Sequence, residues 1–218
     1  RQIPVVLCTT GLTDEQIKKV EETSKHVAVL KSANMSLGIN LLMKLVKEAA
    51  QTLAAAGFDM EIVEKHHKLK CDAPSGTAIA LADSLNEAMD NQYHYVYDRS
   101  QRHEQRDPKE IGISAVRGGT IVGDHDVIFA GPDEVVTLSH RAYSKGVFGK
   151  GAVEAAKFLA GKPAGMYDMQ DVIAINDFAF QGCKSTRIKS PDMSKYVCAV
   201  TVAPNAFTGS AFENAPFV

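Results

Sequence analysis

The chain has 218 residues, is 45% hydrophobic and 23% charged, and carries a formal net charge of -2. This is the mix of a globular chain with a real apolar core, and it excludes general electrostatic attraction to nucleic acid or acidic membranes. No apolar run is long enough for a bilayer span and no charged-then-apolar signal segment opens the sequence, so neither is expected.

Residues 3–8 (IPVVLC) form a short apolar run that predicts a buried strand. Thr9-Thr10-Gly11 is a turn, and Thr13 with Gln16 has capping-box spacing, which predicts a helix over 14–24. A second apolar strand follows at 27–30. Strand, helix and strand in this rhythm predict a parallel α/β sheet. Ser36 then caps a long helix with Leu41, Leu42, Leu45, Val46, Ala49, Ala50 and Leu53 at helical spacing, ended by Gly57. Residues 58–63 alternate apolar and polar, as a strand does. Ser75 opens another helix, with Ala78, Leu81, Ala82, Leu85 and Met89 on one face. The polar stretch 91–110 reads as a loop. Strands are expected near 111–117, 120–129 and 135–140, separated by Gly118-Gly119 and Gly131-Pro132-Asp133 turns. They predict a mixed or antiparallel sheet with helices on one face. A last helix over 145–159 turns Val147, Phe148, Ala152, Ala155, Ala156 and Leu159 inward. In the tail, 174–218, one strand candidate stands at 196–203 and no chemistry is evident. Cys8, Cys71, Cys183 and Cys198 form no CxxC pair and read as reduced thiols of a cytoplasmic protein.

The densest chemistry lies in residues 64–78, EKHHKLKCDAPSGTA. Adjacent strand residues face opposite ways, so one of His66 and His67 can line a cleft while the other packs. Lys68 and Lys70 add positive charge, and Pro74 keeps Ala73 extended. Ser75-Gly76-Thr77 then opens a helix whose free amides and dipole make an anion site, with Gly76 permitting close approach. Two imidazoles, an ammonium and a helix N-terminus suit a small dicarboxylate that must also receive a proton. Each part alone has a plainer reading: a solvated histidine pair, or a turn that only starts a helix. A metal site using His66, His67 and Cys71 lacks HxxxH or CxxC spacing and an obvious fourth ligand, so no metal is expected.

EKHHKLKCDAPSGTA closely resembles the signature of the dihydrodipicolinate reductase family, E-x-H-H-x-x-K-x-D-A-P-S-G-T-A. PVVLCTTGLT (4–13), KSANMSLGINLLMKL (31–45), residues 115–152 and GMYDMQDVI (165–173) resemble further family segments in the same order. The resemblance implies a Rossmann-like nucleotide domain, α/β, at 1–33 and 141–173. Into it is inserted an α+β mixed-sheet domain for substrate binding and oligomerisation at 34–140; 174–218 stays unassigned. It implies hydride transfer from NADH or NADPH to a small cyclic dicarboxylate, in a homotetramer assembled through the inserted sheets. By position, His66 is the proton donor and acceptor, Lys70 the second proton donor, and His67 a substrate contact. Gly76 and Thr77 bind a substrate carboxylate. Cys8, Thr9 and Thr10, with Ser32, Ala33, Asn34 and Met35, touch the nicotinamide end of the cofactor. The family's opening strand and GxxGxMG-type turn, which holds the cofactor pyrophosphate, have no counterpart in the sequence, nor does the residue selecting NAD or NADP. The nucleotide domain therefore reads as incomplete, with weakened cofactor affinity expected. The competing expectation is a non-catalytic dicarboxylate-binding or assembly module derived from the reductase.

Overall fold

The computed structural model describes residues 3–173. Strand β1 (Val5–Leu7) leads through a turn to helix α1 (Asp14–Ser24) and strand β2 (Ala28–Lys31). α1 begins at the expected capping box: Gln16 N donates to Thr13 Oγ1 at 3.3 Å, and Thr13 N donates to Gln16 Oε1 at 2.9 Å. β1 and β2 pair in parallel, and β8 (Gly165–Tyr167) joins the other side of β2, also in parallel. The result is a three-stranded sheet of order β1-β2-β8. α4 (Gly146–Leu159) and α5 (Met169–Ile173) pack with it through a core of Ala28, Leu30, Met35, Ala155, Leu159 and Met169.

The larger sheet has five strands. Their spatial order is β4 (His94–Tyr97), β5 (Glu110–Arg117), β3 (Asp59–His66), β6 (Gly123–Ala130) and β7 (Val135–Ala142). β4, β5 and β3 run parallel, while β6 opposes both β3 and β7, so the sheet is mixed. α2 (Leu37–Leu53) and α3 (Gly76–Ala88) share a core with it. Val46 and Ala50 of α2, Leu81 and Leu85 of α3, and Met60, Ile62, Ile111, Val127 and Phe129 of the sheet form one buried cluster. Each of the larger side chains, from Val to Phe, stabilises the fold by about 1.5–3 kcal/mol, and this burial fixes which face of every strand looks toward the helices.

Several expectations shift. The 91–110 stretch contains β4, which pairs with β5; as a short edge strand with little burial, it has too weak an alternation to stand out. β8 is shorter still. The strand expected from 120 starts at Gly123. Along α2, Leu41 is exposed while Ile39 and Met43 are buried, so the inward face is rotated from the one read off the leucines. Ala156 of α4 is exposed, because Gly151 forms the close contact of that helix. The strand candidate at 196–203 lies outside the described residues.

Candidate active site

The helix-facing side of the large sheet changes chemistry along its length. On β3, Met60 and Ile62 belong to the core, and the next two buried positions on that face are Glu64 and His66. On β6, Phe129 and Val127 give way to His125, and on β7 Val136 and Leu138 give way to His140. The register sets Glu64 beside His125 and His125 beside His140. Strand alternation thus carries a polar row to one end of an apolar face. The N-caps of α2 and α3 meet that row: Ser36 Oγ lies 3.4 Å from His140 Nε2, and Ser75 Oγ lies 3.3 Å from His125 Nε2.

Glu64 is fully buried and accepts hydrogen bonds at both oxygens. Oε2 receives His66 Nδ1 at 2.6 Å and one terminal nitrogen of Arg117 at 2.7 Å. Oε1 receives the other Arg117 nitrogen at 2.6 Å and the amide of Ser75 at 2.9 Å. Burial pushes this carboxyl upward, but Arg117, His66 and the Ser75 amide outweigh it and hold the group below its ordinary value. Arg117 also donates to the carbonyl of Asp72 at 2.6 Å, which ties the strand end to the 72–75 turn. Lys70 Nζ sits 2.7 Å from the Asp72 carboxylate, and that bond lowers the Asp72 carboxyl. His125 is pushed down to about 4, by burial first and His66 second, so its ring is neutral near pH 7. The His66 and His125 rings meet edge-on, with centroids 5.2 Å apart.

Residues 75–77, where an anion site is expected, form the start of a helix. Ser75 Oγ accepts from Ala78 N at 3.2 Å, and Gly76 and Thr77 open α3, where amides lack intrahelical partners. His66 and this helix mouth are joined through a single carboxylate, that of Glu64. Lys70 is engaged by Asp72, and His67 is half-buried with Nδ1 unpartnered among the described residues.

A cavity of about 400 Å³ opens at the carboxyl ends of β1 and β2. Its walls include Cys8, Ser32, Ala33, Asn34 and Met35, together with Phe148 of α4. Open α/β sheets take their ligands at this edge. Thr9 and Thr10, both exposed, are not among its lining residues. A Cβ at Gly151 would lie 1.6 Å from the Met35 carbonyl oxygen, so only glycine lets α4 reach this wall. Asn34 lies in the cavity wall and donates from Nδ2 to Thr77 Oγ1 at 3.0 Å, while its Oδ1 accepts from Ser36 N at 2.8 Å. The cavity and the mouth of α3 therefore meet at one side chain.

Sequence reasoning gave no role to Glu64, Arg117, His125 or His140. The two-residue spacing of Glu64 and His66 on a strand was the available signal; the other partners come from strand register.

A parallel sheet with a cavity at its strand ends, linked through Asn34 to the mouth of α3, defines a protein of the α/β class with a candidate ligand site. A family model described as "Dihydrodipicolinate reductase, C-terminus" matches residues 38–173, and one described as "Dihydrodipicolinate reductase, N-terminus" matches residues 1–35. A 4-hydroxy-tetrahydrodipicolinate reductase of Caldanaerobacter subterraneus subsp. tengcongensis is 61% identical over 173 residues, which are 79% of this chain and 68% of that relative. The protein of the same name from Clostridium tetani is 50% identical over 169 residues, 78% of this chain and 66% of the relative. A solved structure, dipicolinate-bound dihydrodipicolinate reductase from Paenisporosarcina sp. TG-14, aligns with a TM-score of 0.61 at 25% identity, covering 78% of this chain and 64% of that one. The chain belongs to the dihydrodipicolinate reductase family, and it spans about two thirds of the length of these relatives.

Proposed function

We infer that the chain reduces 4-hydroxy-tetrahydrodipicolinate to tetrahydrodipicolinate with NADH or NADPH, a step of lysine and diaminopimelate biosynthesis. The observation that carries this reading is Asn34, which lines the cavity at the strand ends and donates to Thr77 at the mouth of α3. A hydride donor in the cavity and a dicarboxylate at the helix mouth are thereby neighbours. The dipicolinate named with the Paenisporosarcina structure is a compound of the same class.

The cavity fits the nicotinamide end of such a cofactor: it has small-molecule size, with an apolar wall at Met35, Phe148 and Ala152 and polar groups at Ser32 and Asn34. Cys8 and residues 32–35 would hold that end; Thr9 and Thr10 belong to the same turn. A reduced nicotinamide held there would supply the hydride that the substrate's C4 receives. His66 exchanges the proton, its ring oriented by Glu64, and Lys70, released from Asp72, is the second donor. The first-turn amides at Gly76 and Thr77 take a substrate carboxylate at the positive end of the helix, and His67 contacts the ring.

We read residues 1–33 and 141–173 as the nucleotide domain and 34–140 as the inserted domain; the two sheets and cores support this to within two residues, since Arg141 and Ala142 still pair in the larger sheet and Met35 joins the smaller core. Homotetramer assembly through the outer face of the larger sheet fits the exposure of Val116 and Val135 there. No helix among the described residues is long and apolar enough to cross a membrane, which fits a cytoplasmic enzyme.

The test is a direct assay with 4-hydroxy-tetrahydrodipicolinate, following the absorbance of NADH and NADPH. Substrate-dependent oxidation of either nucleotide, falling about 100-fold in His66→Gln, supports the reading, since a positioned general acid contributes about that much. No oxidation with either nucleotide overturns it, and full turnover in His66→Gln removes His66 from the mechanism.

A further inference from the structure

Glu64 has more hydrogen-bond donors around it than an ion pair requires. If it served only to neutralise Arg117, the two guanidinium contacts would suffice. Instead Oε2 also takes His66 Nδ1, and Oε1 also takes the Ser75 amide. Every neighbour within bonding distance is a donor or must act as one, because an ionised carboxylate only accepts. For His66 this has a chemical consequence. A neutral imidazole bears its proton on one nitrogen, and a carboxylate at Nδ1 requires the proton there, which leaves Nε2 with the lone pair. Glycine at 123 keeps a side chain off Nε2: a Cβ there would crowd that nitrogen at 3.1 Å. The ring also packs edge-on against buried, neutral His125.

We propose that Glu64 is the positioning residue for proton transfer, fixing His66 in its Nδ1–H tautomer so that Nε2 is the nitrogen that gives and takes the proton. This rests on the reading of His66 as the proton donor, but the tautomer is measurable without turnover. The step balances simply. The proton leaves Nε2 of the doubly protonated ring for the substrate, and the neutral ring left behind keeps its proton on Nδ1, hydrogen-bonded to Glu64.

Glu64→Gln separates positioning from packing, because glutamine keeps the shape but presents one acceptor and one donor. Its oxygen is held best by the Ser75 amide and one Arg117 nitrogen, which leaves the amide NH₂ facing His66 Nδ1. The ring then has to accept there, and its proton moves to Nε2. Long-range nitrogen–proton NMR on histidine-labelled protein, at a pH where the ring is neutral, reads this directly. The His66 signal is identified by its loss in His66→Gln. The wild-type chain is expected to show Nδ1–H, and Glu64→Gln to show Nε2–H together with a kcat loss of about 100-fold or more and little change in KM. An Nε2–H tautomer in the wild-type chain overturns the proposal with no variant needed. So does a Glu64→Gln protein that keeps both the wild-type tautomer and wild-type kcat. If instead the tautomer is Nδ1–H but His66→Gln turns over normally, the functional reading fails while the tautomer assignment stands.

Discussion

Arg117 grips the buried carboxylate of Glu64 with both terminal nitrogens, at 2.7 and 2.6 Å, across a span of 53 residues. The pair joins β3 to the end of β5 directly beneath the proposed proton donor. Removing one partner of a buried pair leaves the other charge uncompensated. Arg117→Met is therefore expected to cost about 3 kcal/mol, at the low end of the usual range because the Ser75 amide and His66 still reach Glu64. Urea denaturation of the two proteins measures it. The pH dependence has a definite sign: the Glu64 carboxyl is held below its ordinary 4.5, so its contribution is present above 4.5 and is lost as pH falls through the folded value. Arg117→Met should weaken that acid-side loss; an unchanged urea midpoint at neutral pH would show the pair to be energetically idle.

His125 gives a second pH window. Burial lowers its ring from 6.5 to about 4, so between those values the unfolded chain binds a proton that the native chain does not. Stability must then rise with pH across this window and fall as the solution is acidified from 6.5 toward 4. The full effect is on the order of 3 kcal/mol. His125→Gln removes the titration, and its urea midpoint is expected to be flatter between pH 6.5 and 4 than that of the wild-type chain. Parallel curves for the two proteins would count against a buried neutral ring.

Gly151 has the tightest backbone approach along α4. Because a Cβ would fall 1.6 Å from Met35 O, Gly151→Ala must push α4 off the cavity wall. Overpacking of this kind costs about 1–3 kcal/mol. Thermal melting should show that loss. NADH or NADPH titration should show weakened binding, since Met35 and Ala152 both line that cavity.

Asn34 is expected to link the two ligands. Asn34→Ala deletes the 3.0 Å bond to Thr77 Oγ1 and the support of Ser36 N. A hydrogen bond contributes about 0.5–1.5 kcal/mol net, so dipicolinate affinity should fall roughly 3- to 10-fold. Calorimetric titration with dipicolinate, with and without the nucleotide, checks this; equal affinity in both proteins would exclude Asn34 from the link.

The sequence alone determined whatever is written in local period and local chemistry. The Thr13–Gln16 box started α1, Ser36 and Ser75 started α2 and α3, and the alternation around Met60 and Ile62 set the face of β3. The run from Glu64 to Ala78 named the family and singled out His66, Gly76 and Thr77, because it is one continuous string whose parts need no distant partner. β4 and β8 escaped notice because three or four residues are too few to show a period. Only the tertiary structure decided who holds these groups in place. Glu64 meets Arg117, Ser75 meets His125 and Asn34 meets Thr77 across 53, 50 and 43 residues. Those meetings depend on strand register and helix placement, which buried apolar area fixes collectively and which no short stretch of sequence encodes.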